Sequence, residues 1–105
     1  MRKIEIDMLK AIDRQRDWTG RNTSVTVEST GITTVRLFSN VIAVFSGYDL
    51  ILSHAGYKTV TTKSRLNAIL SRYKLGHIYQ KNFKWYFIDH NDNIKPWLGT
   101  HRLTF

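Results

Sequence analysis

Cysteine is missing from the chain. Its absence excludes a disulfide framework, thiolate zinc sites and cysteine nucleophiles, and agrees with a reducing intracellular setting. Proline occurs once, at Pro96, and no Pro/Gly/Ser-rich linker, internal repeat or low-complexity segment divides the sequence. Long apolar runs are lacking too. The longest, Val41 to Phe45, is strand-sized, far short of the ~20 residues a membrane-spanning helix needs, and no basic start leads into an apolar run of signal length. The expectation is one soluble, cytoplasmic domain over residues 1–105, of a size that buries roughly 60–68% of its unfolded surface without staples.

The most informative absence is local. From residue 50 to residue 88 there is no Asp or Glu, while Lys58, Lys63, Arg65, Arg72, Lys74, Lys81 and Lys84 all fall there. Residues 1–49 hold seven basic residues against six acidic ones, and 89–105 hold two of each. Nearly the whole net charge of +8 therefore belongs to one segment. A segregated basic field of this kind concentrates anions, phosphate above all.

The pattern of apolar residues orders the elements. Ile4, Met8 and Ile12, with Ala11, predict an amphipathic helix over roughly Arg2 to Arg16, and Gly20 and Asn22 break it. From Ser24 the period becomes two, through Val25 and Val27 and then Val35 and Leu37. A hairpin loop at Ser39-Asn40 places Val35, Leu37, Ile42 and Val44 on one face. Leu50-Ile51-Leu52 is the next strand and Thr59 to Thr62 a short one. A second helix follows over about Lys63 to Lys74, with Leu66, Ile69, Leu70 and Tyr73 inward, Thr61 or Thr62 as cap and Gly76 past its end. A last hairpin with Lys81-Asn82 as its loop groups Ile78, Phe83, Trp85 and Phe87 as core, leaving His77, Tyr79, Lys84 and Tyr86 on the other face. The tail, about 89–105, reads as irregular. Helix, antiparallel meander, helix and hairpin make an α+β fold with the helices on one face of the sheet.

The candidate anion site is the start of the second helix. Lys63 and Arg65 lie where a helix carries partial positive charge, a placement that an external anion would offset. Free N–H groups there, with the hydroxyls of Thr61, Thr62 and Ser64, suit a phosphate. About Leu66 as centre, Arg65 and Arg72 fall on one flank, seven residues and about 10 Å apart, with Lys63, Asn67 and Lys74 on the other. Tyr79 and Tyr86, beside Lys84 and His77, add rings on which bases can stack, with Lys81 in the adjoining loop. Trp18, Arg21 and Asn22, in "WTGRNT", form a candidate second contact, against the commoner use of such a Trp as a lid on the core.

Catalytic readings are poor. His54, His77, His90 and His101 never recur at metal-ligand spacing. Asp89, Asn91 and Asn93 begin like a calcium loop that lacks its glycine and terminal Glu. No phosphate-cradling loop, serine elbow or dinucleotide fingerprint occurs, so neither an enzyme nor a bound metal or cofactor is expected.

"WTGRNT", "TTKSRLNAIL", "LFSNVIA" (37–43) and "YQKNFKWYF" (79–87) occur in an order that resembles small uncharacterised proteins encoded by tailed bacteriophages, particularly short-tailed ones. The resemblance covers roughly 18–88. It implies a virus-encoded origin and the cytoplasm of an infected host, and transfers no catalytic residue.

The sequence thus leads to a small nucleic-acid-binding accessory protein. Its phosphate contacts would be Lys63, Arg65, Arg72, Lys74 and Lys84, extended by Lys58 and Lys81. Four to six of them imply a log–log salt slope of about −3 to −5 on duplex DNA. The alternatives are a module that grips an acidic surface on a host protein and a minor structural protein of the virus particle. DNA or RNA, strand preference and oligomeric state are left open.

Overall fold

The computed structural model describes residues 1–104. Helix α1 (Lys3–Arg14) is followed by strands β1 (Trp18–Thr19), β2 (Thr23–Val27), β3 (Thr33–Leu37), β4 (Asn40–Ser46) and β5 (Asp49–Ser53). Helix α2 (Val60–Arg72) comes next, then β6 (Gly76–Lys81), β7 (Lys84–Asp89), β8 (Ile94–Pro96) and β9 (Thr100–Thr104). The fold is α+β with antiparallel pairing throughout, divided into two sheets: β1-β2-β3-β4-β5-β9 and β6-β7-β8.

Helix α1 buries Met8, Leu9, Ala11 and Ile12 against the large sheet. It stops at Arg14, short of the expected Arg16, because Gln15 turns left-handed (φ 52°) and the Arg16 N–H closes back on the Ala11 carbonyl. Val25 pairs with Val35, both fully buried. The β3–β4 turn is Phe38-Ser39 rather than Ser39-Asn40, and a bulge between Val35 and Arg36 sets Ala43 opposite Val35. Ala43 is consequently buried, whereas Val44, expected on the same face as Val35, pairs with Thr34 and is half-buried.

The second helix begins earlier than its apolar spacing suggests. Thr59 is the cap, accepting a hydrogen bond from the Thr62 N–H at 3.1 Å, so the expected strand at Thr59–Thr62 is the cap and first turn of α2. Its end is closed by Lys74 in a left-handed conformation (φ 56°), with Leu75 N–H on the Leu70 carbonyl, in place of the predicted glycine. Gly76 has another task at the start of β6. A Cβ there would lie 2.3 Å from the Ile88 carbonyl oxygen and 2.8 Å from the Phe87 ring.

The last hairpin turns at Asn82-Phe83, with Lys81 opposite Lys84, Tyr79 opposite Tyr86 and Ile78 opposite Phe87. The register differs from the expected one by two residues, which preserves the faces. Ile78, Trp85 and Phe87 are buried as predicted, but Phe83 moves from the core to the tip and is 90% exposed. The tail is not irregular. Strand β8 pairs with β7, and β9 pairs with β5, matching Leu103 to Leu50 and His101 to Leu52. The Arg102–Asp49 ion pair crosses the same two strands. Asn67 joins α2 to the small sheet: its amide donates to the Ile78 carbonyl (2.8 Å), and its oxygen accepts the Ile78 N–H (2.7 Å).

Candidate nucleic-acid interface

The seven basic residues of the acid-free segment separate by type. Both arginines are bound into the fold. Arg65 is 2% exposed, and its guanidinium donates to Glu5 Oε2 (2.8 Å), Thr23 Oγ1 (3.0 Å) and Asn22 Oδ1 (3.2 Å). Ser64 also donates to Glu5 Oε2, at 2.5 Å. Arg72 grips Asp13 Oδ2 with two nitrogens at 2.6 and 3.0 Å, while the Tyr73 hydroxyl donates to Asp13 Oδ1 at 2.7 Å. Bonding to Asp13 raises the Arg72 pKa; burial foremost, then the same carboxylate, pushes the Tyr73 hydroxyl well above its usual value. The flank of α2 that carries Arg65 and Arg72 therefore faces α1, and the counter-charge sought at the helix start is supplied by Glu5.

The helix start consequently differs from the open anion site expected there. Thr62 is 2% exposed with its hydroxyl against that of Thr59, Ser64 and Arg65 are held by Glu5, and Thr61 and Lys63 are half-buried. A sign of this arrangement is present in the sequence. Glu5 stands at the i, i+3, i+4, i+7 spacing with Met8, Leu9 and Ile12, and an acid in a buried stripe requires a buried cation.

The lysines behave differently. Among the described residues, no carboxylate lies within ion-pair distance of Lys58, Lys63, Lys74, Lys81 or Lys84. Three of them converge. Lys81 and Lys84 are direct cross-strand partners at the hairpin tip, and Lys58 shares with Lys84, Trp85, Tyr86, Pro96 and Trp97 a cleft of about 370 Å³. Lys74 stands apart, at the other end of α2. Like charges directly opposed on a sheet destabilise it, and an anion between them removes the repulsion.

Next to that pair, Tyr79 and Tyr86 stack with ring centroids 5.5 Å apart and planes 22° apart. Both lie on the face opposite Ile78 and Phe87, so the core fixes their direction. Behind them, Trp85 and Trp97 pack at 6.5 Å, and Trp97 stacks on His101 at 4.3 Å. Burial, then the nearby Lys95, lowers the His101 pKa, and its Nε2 accepts the Leu98 N–H at 3.3 Å.

The second candidate contact is divided. Trp18 packs on the core, its ring so close to Gly20 that a Cβ there would lie 2.6 Å from it. The cleft beside Trp18 is of mixed charge, lined by Asp7 and Asp17 together with Lys10, Arg14 and Arg16. Asn22 is joined to the Arg65 network, while Arg21 is exposed and lines another cleft with Arg36. The suspected calcium turn is an Asx turn: Asp89 Oδ1 accepts from Asn91 N–H (2.8 Å) and Asn93 N–H (3.0 Å), which lowers the Asp89 pKa. Among the described residues, no helix is long and apolar enough to cross a membrane.

An α+β protein of phage origin is what these features and the comparisons define. A family model described as Kyanoviridae Gp96 protein matches residues 1–104, and the chain belongs to that family. The match extends well beyond 18–88 and corrects one detail: this is a myovirus family, not one of short-tailed phages. Searches of curated proteins and of solved structures found no match.

Proposed function

We propose that this phage protein is a nucleic-acid-binding accessory protein that engages single strands through the outer face of its β6–β7 hairpin. The observation that carries the reading is the juxtaposition of Lys81 and Lys84, opposed and without a carboxylate partner among the described residues, with the stacked Tyr79–Tyr86 pair. Lysines attract the phosphates and rings accept the bases, the combination that binds single strands without reading sequence. Lys58 extends the charge along the adjoining cleft. Three phosphate contacts, each contributing about −0.7, give a salt slope of about −2 on single strands.

A salt-titrated binding assay on single-stranded DNA, duplex DNA, RNA and heparin tests the reading. The expected result is tighter binding of single strands than of duplex or heparin, with that slope. Heparin affinity equal to that for single strands would reduce the hairpin to generic charge. A defined host protein retained from nuclease-treated lysate, with no nucleic-acid affinity, would favour the acidic-partner alternative.

A further inference from the structure

Two of the hairpin turns, β3–β4 and β6–β7, share an anomaly. Both run through positive φ at each turn residue: 49° and 70° at Phe38 and Ser39, 52° and 64° at Asn82 and Phe83. Such turns suit the twist of the flanking strands, and their usual occupants are Asn-Gly or Asp-Gly. A phenylalanine held left-handed carries a steric cost that glycine avoids. Burial of the ring would offset it. Phe38, 67% exposed, lines a cleft with Ile42 and Tyr57, and Phe83 is more exposed still, at 90%. The strain is least offset by burial at the Phe83 tip, and that calls for a use outside the fold.

We infer that Phe83 is a base-stacking side chain for a single-stranded nucleic acid lying along the hairpin, an inference that rests on the function proposed above. From the tip inward, rings and cations alternate: Phe83, then the opposed Lys81 and Lys84, then the stacked Tyr79 and Tyr86. At about 3.3 Å per residue, Phe83 and Tyr86 are separated by about 10 Å along the chain. That spacing accommodates two bases, one on each aromatic station, with the intervening phosphodiester at the ammonium pair. A lipid surface would meet the tip alone and leave the tyrosine pair, on the face of the sheet, without a partner. A nucleic-acid strand uses all three.

Phe83→Gly creates an Asn-Gly turn and tests both halves of the inference in one molecule. The thermal midpoint should rise by about 4–8 °C as the strain is relieved. Affinity for labelled oligo(dT) of about 16 nucleotides should fall at least about 5-fold. Phe83→Tyr, which keeps a ring, should bind as the parent does. Parental affinity in the glycine variant, with Lys81→Ala/Lys84→Ala still weakening binding, overturns the inference and leaves the wider reading standing. A parent that does not bind oligo(dT) removes both. A lower midpoint in the glycine variant would make Phe83 a structural residue and sink the inference. So would loss of binding to phosphatidylserine/phosphatidylcholine vesicles with oligo(dT) affinity unchanged, which assigns the tip to a membrane.

Discussion

The α1–α2 seam and the β6–β7 hairpin draw on the same acid-free stretch of chain and treat its charge in opposite ways. At the seam, Arg65 and Arg72 are matched by Glu5 and Asp13, residues about sixty positions away in sequence. At the hairpin, Lys81 and Lys84 face one another, with no carboxylate at ion-pair distance among the described residues. The division follows side-chain chemistry. A guanidinium is planar, carries several donors and is weakly hydrated, so Arg65 can be buried with three acceptors around it. An ammonium is a compact, strongly hydrated charge, stable in water until a phosphate replaces the water. Positive charge in a sequence is thus of two kinds, one holding the fold together and one left at its surface.

The largest expected effect is at the seam. Glu5→Gln leaves the Arg65 charge buried without its counter-ion, and loss of one partner of a buried pair costs about 3–5 kcal/mol. Urea unfolding measures it, and a loss below about 1 kcal/mol would erase the distinction between the two regions. At the hairpin the same manipulation should act on binding alone. Lys81→Ala/Lys84→Ala should reduce the salt slope on single strands by about 1.4, while stability holds or rises by a few tenths of a kcal/mol as the repulsion disappears. A large drop in unfolding midpoint would show that these lysines serve the fold after all.

A smaller effect belongs to the floor beneath the hairpin. His101 titrates below its ordinary 6.5 in the folded chain, because burial and Lys95 oppose its charge. The unfolded chain therefore binds the proton first as pH falls. The stability contributed by the neutral ring is fully present above about pH 6.5 and is lost as pH drops from there through the lower folded value. Unfolding midpoints compared between about pH 7.5 and 5.5 should show this decline, and His101→Gln should abolish it. The smallest change is expected for Asp13→Asn. It releases Arg72 on the exposed side of the seam, and the salt slope should match the parent's because that arginine lies off the hairpin face.

Much of the fold was legible in the sequence. Both helices, the meander and the core roles of Ile78, Trp85 and Phe87 followed from periodicity, since burial on one face imposes a period on the residues that supply it. Turn positions were harder. Phe38-Ser39 and Asn82-Phe83 lack the glycine that normally announces a primed turn, so the sequence pattern displaces each loop and assigns Phe83 to the core. The strands of the tail are not visible in the sequence because β9 pairs with β5, about fifty residues earlier, and nothing local to Thr100–Thr104 records that partner. The pairing at the start of α2 is hidden for a related reason. A charge map along the chain cannot show that Glu5 crosses to Arg65, although the acid inside the α1 stripe was a visible warning.

Asn67 has a consequence for how this molecule meets others. By taking both the N–H and the carbonyl of Ile78, its amide occupies the middle of the β6 edge, where a strand from a second molecule would otherwise add. The opposite edge of the small sheet is β8, which contains Pro96 and so lacks an N–H at that position. With both borders blunted against side-by-side growth, the small sheet offers a visitor its broad side and its tip, where the rings and the unpaired lysines are.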